Sequence, residues 1–164
     1  QLETSLSKTR KNILLIPGAS HKSKCYPVAK LAELSTLIDA NFLVVWGNSD
    51  EKLLADQVKK LSPSVNICNK LSINELILLT SEVDLVIGPD TGPTHISWAL
   101  NIPSITIFGP TPGYRNSCAT IQNHIIQSQS IVNPYKIDKN DYSIKDIEVE
   151  NIVIKAKELL NIIN

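Results

Sequence analysis

One stretch, residues 85–95 (LVIGPDTGPTH), constrains the fold of this chain more than any other part of its sequence. An apolar run ends at Gly88 and Pro89, a polar loop follows at residues 90–92 (DTG), and Pro93 stands where the first turn of a helix would begin. The pattern predicts a strand, a tight loop and a helix. Because the first N–H groups of such a helix lack partners and carry the positive end of the helix dipole, the loop predicts a site for a phosphate or another anion.

The rest of the chain alternates between buried apolar runs and stretches with helical spacing. The apolar runs predict five strands, at residues 12–16, 42–46, 65–68, 85–88 and 104–108. Four intervening helices are predicted: one from Pro27 to about residue 40, one stopped by Ser62 and Pro63, a short one capped by Ser72 and Glu75, and one from about residue 94 to 100. With right-handed crossovers, this order predicts an α/β fold, a doubly wound parallel Rossmann-like sheet with helices on both faces.

The two ends of the chain are less regular. Residues 1–11 are polar and without periodicity, which predicts a linker or a trimmed end, so that residues 12–164 form a single domain. A short edge strand is predicted at residues 124–127 and a polar connection at 133–142. A final helix is predicted from about residue 148 to 163, packed on the same sheet. Its apolar face consists of Ile152, Ala156, Leu159, Leu160 and Ile163.

Composition argues against several classes of function. The 164 residues, 43% of them hydrophobic and 20% charged, suit one soluble domain with a real core. Sixteen basic and sixteen acidic residues cancel, and basic residues cluster only at residues 8–11, so nucleic acid is not expected as a partner. No apolar stretch is long enough for a membrane span and no signal peptide is recognisable, which points to the cytoplasmic side. Three cysteines without metal-ligand spacing predict reduced thiols and no metal site; they are Cys25, Cys68 and Cys118.

The carboxyl ends of the predicted strands bring several polar loops together, and doubly wound sheets bind their ligands at that edge. The loop after the first strand contains no acidic residue and therefore suits a phosphate. It offers Ser20, His21, Lys22 and Lys24. The loop after the second strand places Glu51 where it can cap the next helix, its commoner use, or accept hydrogen bonds from ribose hydroxyls.

Stricter phosphate and catalytic motifs are absent from the sequence. It has no GxxxxGK[ST] loop, no GxGxxG fingerprint after the first strand and no GxSxG elbow. The residues alone therefore predict an α/β domain that binds a phosphorylated ligand, and they leave the reaction open. Lys24 is equally consistent with a solvated surface charge. Trp46 and Trp98 are expected in the core or at a domain contact, and His21 and His124 at the surface.

Three segments together resemble the donor-binding half of bacterial lipopolysaccharide heptosyltransferases, glycosyltransferase family 9. They are residues 88–95 (GPDTGPTH), 99–103 (ALNIP) and 107–111 (IFGPT). The likeness runs from about residue 13 to 112, and its Asp-Thr-Gly form is similar to heptosyltransferase I more than to type II, in which Asp-Ser-Gly is usual. The resemblance implies the C-terminal domain of a GT-B glycosyltransferase, whose active site lies in a cleft between two Rossmann-like halves. The acceptor-binding half would be missing from this chain.

The resemblance also implies roles for individual residues. Lys24 would lie near the phosphates, Glu51 would hold the ribose, and Leu71 would lie beside the adenine. Ala19 departs from the family's frequent Thr, which predicts one lost contact. A Cβ at Gly92 would block the approach of the diphosphate to the backbone or disfavour the required backbone angles. The implied donor-binding residues are Ser20, Lys24, Glu51, Leu71, Asp90, Thr91, Gly92 and His95, and the implied catalytic residues are Lys24, Asp90 and His95.

The family further implies a reaction. The donor would be ADP-L-glycero-D-manno-heptose, the acceptor the Kdo region of the lipopolysaccharide core at the cytoplasmic face of the inner membrane, and the transfer would invert the anomeric centre. No cofactor or metal is expected, because a helix N-terminus and Lys24 can stabilise the charge that builds on departing ADP. His95 can donate one hydrogen bond when neutral or carry charge near an anion. The general base would lie on the other half, and the alternative is a stand-alone nucleotide or nucleotide-sugar binding module without transfer activity.

Overall fold

Six strands form one parallel sheet in a computed structural model that describes residues 6–161. The strands are β1 (Asn12–Leu15), β2 (Asn41–Val44), β3 (Asn66–Ile67), β4 (Leu85–Pro89), β5 (Ser104–Phe108) and β6 (Asn123–Gln127). Their order across the sheet is β3-β2-β1-β4-β5-β6, so the direction of winding reverses between β1 and β4. The predicted doubly wound α/β fold is therefore confirmed.

Within the same residues, five α-helices connect the strands and a sixth follows the last strand, together with short 3₁₀ turns at residues 22–24 and 143–146. The helices are α1 (Val28–Leu37), α2 (Ser49–Leu61), α3 (Ile73–Glu82), α4 (Gly92–Ala99), α5 (Gly113–Asn116) and α6 (Val149–Leu160). The predicted capping box begins α3: the Ser72 hydroxyl accepts from the N–H of Glu75, whose carboxylate accepts from the N–H of Ser72. Pro93 lies in the first turn of α4, as predicted.

Apolar side chains cover both faces of the sheet because successive residues of a strand point to opposite sides. On one face, Ile13 and Leu15 of β1 belong to the larger core cluster, which also contains Ile152 and Ala156 of α6. On the other face, Leu14 belongs to a smaller cluster that α3 helps to cover. The C-terminal helix thus packs on this sheet, as its apolar face predicts.

Several element boundaries differ from the sequence prediction. β2 ends at Val44 rather than at residue 46, and the edge strand β3 spans two residues instead of four. α4 begins at Gly92 rather than near Thr94, because the backbone is still extended at Thr91 and turns helical immediately after it. α6 ends at Leu160, where Asn161 takes a left-handed conformation with φ of 53°; residues 162–163 of the predicted helix lie outside the described residues.

Residues 6–11 lie against the sheet although they form no helix or strand. Arg10 pairs with Asp39 at 2.7 Å and Lys11 pairs with Asp84 at 2.9 Å. The predicted linker or trimmed end also includes residues 1–5, which lie outside the described residues. Within residues 6–161, no helix is both long enough and apolar enough to cross a membrane.

Candidate functional site

The Asp90 carboxylate joins three loops at the carboxyl edge of the sheet. Asp90 follows β4 directly and is 5% exposed. Its Oδ1 lies 3.0 Å from Nε2 of His95. Its Oδ2 lies 3.3 Å from Nζ of Lys24 and 3.3 Å from Nδ2 of Asn116. A single buried carboxylate therefore binds side chains from the loops after β1 and β5 and from the start of α4.

Local backbone structure places each partner of Asp90. Lys24 ends the 3₁₀ turn after β1, in which its N–H donates to the carbonyl of His21 at 3.0 Å. His95 lies in the first turn of α4, and its N–H donates to the carbonyl of Thr91 at 3.1 Å. Asn116 is the last residue of α5. The predicted trio of Lys24, Asp90 and His95 is thus in direct contact.

The surroundings of Asp90 favour its ionised form. Burial of the carboxyl opposes ionisation, but the Lys24 ammonium and three neighbouring polar side chains outweigh burial and hold the pKa of Asp90 below its ordinary value. These side chains belong to Thr111, Asn116 and His95. The Thr111 hydroxyl falls short of ordinary hydrogen-bond geometry, and it has no other partner in the described part of the chain.

The ion pair corrects one sequence-based interpretation of the first loop. That loop contains no acidic residue, which suggested an unneutralised cationic site, yet Asp90 from a different loop neutralises Lys24. Only 12% of the Lys24 side chain and 7% of the Asp90 side chain are exposed. Lys24 is therefore not a solvated surface charge, and an anion at this site would share its ammonium with Asp90.

The His95 ring is held from a second side by Trp98. The two rings stack with centroids 4.2 Å apart and an angle of 20° between their planes. Trp98 is half-buried, and 41% of the His95 side chain stays exposed, so the imidazole opens to solvent at the mouth of the site. Sequence reasoning expected Trp98 in the core or at a domain contact. Its spacing of three residues from His95 on one helix is the signal that would have revealed the stack.

A mainly apolar cavity of about 210 Å³ lies beside the start of α4. Leu71 and Trp46 form part of its wall, and Trp46 is fixed because its Nε1–H donates to the carbonyl of Cys68 at 2.8 Å. Glu51 and Thr91 supply polar groups to the same cavity. Three of the predicted donor-binding residues, Glu51, Leu71 and Thr91, therefore line the same cavity.

Glu51 lies where the loops after β1 and β2 meet. Its Oε2 accepts from the N–H of Gly47 at 2.7 Å, while the cap of α2 is Asn48, whose side chain accepts from the Glu51 N–H at 3.0 Å. The Glu51 carboxylate is therefore not the cap of α2, although capping is the commoner use of a carboxylate at this position. The Glu51 side chain passes over Gly18, where a Cβ would stand 2.3 Å from Cγ of Glu51. Glu51 and the exposed Ser20 also line a second, more open cavity of about 770 Å³.

The first turn of α4 offers its backbone to a ligand. Thr91 provides no side-chain cap, so its hydroxyl does not satisfy the first N–H groups of the helix. Gly92 is exposed, and a Cβ built on it would meet no atom within 4 Å. Its φ does not lie in the left-handed region. The expectation that the backbone angles require a glycine at position 92 is therefore wrong. The remaining reason for a glycine is the open space above the start of α4, which a side chain would fill.

The cysteines and His124, also singled out in the sequence, have no contact with the Asp90 carboxylate. Cys25, Cys68 and Cys118 are all free thiols, and burial raises the pKa of Cys68 to about 11. His124 is half-buried, with Nε2 3.0 Å from the carbonyl oxygen of Ile121. Among residues 6–161, no three His, Cys, Asp or Glu side chains come together as metal ligands would.

The strand order, the polar cluster after β4 and the adjacent apolar cavity define a Rossmann-like α/β protein with a candidate ligand site at the switch in winding direction. The model of glycosyltransferase family 9 (heptosyltransferase) matches residues 1–143. The chain belongs to this family, as its motifs predicted.

Comparisons with individual proteins agree with the family. The chain is 44% identical to lipopolysaccharide heptosyltransferase 1 of Campylobacter coli, over 94% of this chain and 48% of that protein. Its fold is similar to E. coli heptosyltransferase WaaC with ADP, with a TM-score of 0.78 and 18% identity over 94% of this chain and 46% of that one. A family 9 glycosyltransferase from Veillonella parvula gives a TM-score of 0.82 and 17% identity over 96% of this chain and 48% of that one. The chain spans about half the length of the relatives it matches.

Proposed function

We propose that this chain is the C-terminal, donor-binding half of an inverting heptosyltransferase, acting on ADP-L-glycero-D-manno-heptose and the Kdo region of the lipopolysaccharide inner core. The observation that carries the proposal is the contact of Asp90 with Lys24 and His95, directly beside the uncapped first turn of α4. Two solved structures of one relative support the choice of ligand by analogy, since E. coli WaaC is described with ADP and with ADP-2-deoxy-2-fluoro heptose.

Different parts of the donor bind to the apolar cavity and to the start of α4. The adenine occupies the apolar cavity beside Leu71 and Trp46, where the Trp46 ring is already fixed in place. Glu51 accepts hydrogen bonds from the ribose hydroxyls, because its Oε2 is bound to Gly47 and its Oε1 has no partner among residues 6–161. The diphosphate then lies at the first turn of α4, over Thr91 and Gly92.

The chain's own groups stabilise the departing ADP. In the transfer, an acceptor hydroxyl oxygen forms a bond to the anomeric carbon and gives its proton to a general base, while the bond from that carbon to the diphosphate oxygen breaks and both its electrons go to ADP. The helix N-terminus and the Lys24 ammonium are fixed before this charge develops, so they favour the transition state without a metal. Asp90 keeps Lys24 and His95 in place. Because Nε2–H of His95 donates to the ionised Asp90 carboxylate, only a protonated His95 ring has a second donor, Nδ1–H, for the diphosphate oxygens.

Residues 12–164 would form this donor-binding domain, and the acceptor and the general base would belong to the half of the family's enzymes that the chain does not span. The enzyme would work at the cytoplasmic face of the inner membrane, where its lipopolysaccharide acceptor is made. The near-neutral chain, with sixteen basic and sixteen acidic residues, fits a nucleotide-sugar ligand and not a nucleic acid.

Calorimetric titration of the 164-residue chain with ADP, ADP-heptose and UDP-sugars tests the proposal. We expect saturable binding of ADP and ADP-heptose and much weaker binding of UDP-sugars, because in this assignment the apolar cavity holds a purine base. Preference for UDP-sugars, or no binding of any of the three, would contradict it.

A transfer assay separates the proposal from a stand-alone binding module. The chain alone should give no heptosylated product, and addition of the acceptor-binding half of a family 9 enzyme should restore product. A binding module would take up the nucleotide and give no product in either arrangement. Turnover by the chain alone would show that the base and the acceptor site lie within these residues.

A further inference from the structure

One partner of Asp90 comes from an element that the donor-site assignment does not include. Asn116, at the end of α5, places Nδ2 3.3 Å from Oδ2 of Asp90, the oxygen that also faces Lys24. Asn116 is half-buried, and its N–H donates to the carbonyl of Pro112 at 2.9 Å. The contact ties the loop after β5 to the carboxylate after β4.

A second side chain holds α5 in place. α5 has four residues, too few to be stable without tertiary contacts. Gln127, at the end of β6, uses both ends of its amide: Oε1 accepts from the N–H of Gly113 at 2.7 Å, and Nε2 donates to the carbonyl of Gly109 at 3.0 Å. Position 113 requires a glycine for this contact, since a Cβ there would stand 2.8 Å from Oε1 of Gln127.

We propose that Asn116, held by Gln127 through α5, is a positioning residue that fixes the rotation of the Asp90 carboxylate. With Nδ2 of Asn116 on Oδ2, the carboxylate presents Oδ1 to His95 and Oδ2 to Lys24. Without this donor, the carboxylate can turn about its terminal torsion, which is broad for aspartate, and Lys24 would follow its partner. The inference rests on the proposed function, because it treats the ammonium of Lys24 as a ligand of the diphosphate.

Two substitutions test the inference: Asn116→Ala removes the donor without adding a charge, and Asn116→Asp keeps the size of the side chain while it places a like charge beside Asp90. We expect Asn116→Asp to weaken ADP binding by about tenfold or more and Asn116→Ala by about three- to tenfold, which is the range for the loss of one ordinary hydrogen bond. Gln127→Ala should weaken ADP binding in the same direction. The matched control is Asn151→Ala on α6, an exposed asparagine far from Asp90 in the sequence, and it should bind ADP as the parent does.

A carbon-13 NMR titration measures the pKa of the Asp90 carboxyl and so tests the effect of Asn116 on it without any ligand. The groups that face Asp90 are Lys24, His95, Thr111 and Asn116, and only the last changes in the variants. We expect the pKa of Asp90 to rise in Asn116→Ala, because the variant removes a hydrogen bond to the charged carboxylate, whereas a purely structural asparagine would leave it unchanged. Asn116→Asp raises the pKa of Asp90 in either case, because it places a like charge beside it.

The two readouts together decide between the outcomes. In Asn116→Ala, a raised pKa of Asp90 with weakened ADP binding supports the inference. An unchanged pKa overturns it, and so does a raised pKa with parental affinity for ADP, because the rotation of the carboxylate would then not matter to the ligand. If the parent itself fails to bind ADP, the proposed function falls, while the NMR titration still shows whether Asn116 fixes the carboxylate.

Discussion

The pairing of Lys24 with Asp90 dominates the electrostatics of the site at the scale of single residues. Both side chains are nearly buried, so removal of either one leaves its partner charged in a poorly solvated place. This changes the expected result of a simple alanine substitution. Loss of Lys24 affects the fold as well as the ligand, and an affinity measured on Lys24→Ala alone would mix the two effects.

We expect Lys24→Met to lower the free energy of unfolding by about 3 kcal/mol, the lower part of the range for breaking a buried ion pair. Urea denaturation measures it. The double variant Lys24→Met/Asp90→Asn should regain much of that loss, because it leaves no unpaired charge. A single variant as stable as the parent would mean that the pair is solvated in solution.

The pH dependence of stability provides a second test of Asp90. Because the folded protein lowers the pKa of this carboxyl, the stability it contributes is fully present above its unfolded value of about 3.9 and is lost as the pH falls through the lower folded value. Urea melts between pH 6 and pH 3 should show a smaller acid loss in Asp90→Asn than in the parent. Equal losses of stability in the two proteins would show that Asp90 does not contribute to the pH dependence.

Gly18 and Gly92 form a matched pair of glycines in the candidate donor site. A Cβ at Gly18 would strike Glu51, while a Cβ at Gly92 would meet no protein atom. We therefore expect Gly18→Ala to displace the Glu51 carboxylate and weaken binding of both adenosine and ADP by about fivefold or more, roughly 1 kcal/mol. Gly92→Val should cost little stability and weaken ADP by about tenfold while sparing adenosine, because only the diphosphate lies over that position. The same loss for both ligands in both variants would contradict this division of the site.

At the scale of elements, the junction of β4 with α4 depends on close packing. A Cβ at Gly88 would stand 2.7 Å from Oγ1 of Thr94 and 2.8 Å from Cβ of Ile16, so any side chain there pushes α4 away from the sheet. We expect Gly88→Ala to lower the free energy of unfolding by about 1 to 3 kcal/mol, the usual cost of overpacking a core. Urea denaturation compares it with Gly92→Ala, the control in open space, which should stay within about 0.5 kcal/mol of the parent. Parental stability of Gly88→Ala would show that the junction can relax.

The elements themselves were largely predictable from the sequence, because each long one has its own periodic signal. The continuous apolar run of β1 and the capping box at Ser72 are local features, and the structure contains both. β3 was overestimated because a two-residue edge strand has only one neighbour, and the apolar residues around it are buried by other contacts.

The partners of Asp90 were predictable only in part. Lys24, in the loop after β1, and His95, in the first turn of α4, are brought together by the sheet topology, and their types are typical of an anion site. Asn116 and Gln127 were missed because α5 has four residues and no hydrophobic period, so nothing in the sequence shows where its side chains lie. The pairing of Lys24 with Asp90 was missed because it joins two loops that are far apart in the chain.

At the scale of the whole molecule, the chain presents a site that is closed on the protein side and open to solvent. Asp90 and Lys24 are nearly buried, whereas His95 and Gly92 stand at the surface. The chain spans about half the length of its heptosyltransferase relatives. Under the proposed function, this open edge would face the acceptor-binding half and a nucleotide would enter it directly from solution.

Nitrogen-15 NMR of the chain during titration with ADP tests the central claim most directly, because it locates the ligand residue by residue. The account predicts the largest amide shifts at Thr91, Gly92 and His95, together with shifts at Gly47 and Leu71 around the apolar cavity. The amides of α6 should not move. Saturable binding with its main shifts elsewhere, or no shift at residues 91–95 at saturation, would contradict the placement of the diphosphate at the start of α4 and with it the assignment of this half as the donor-binding one.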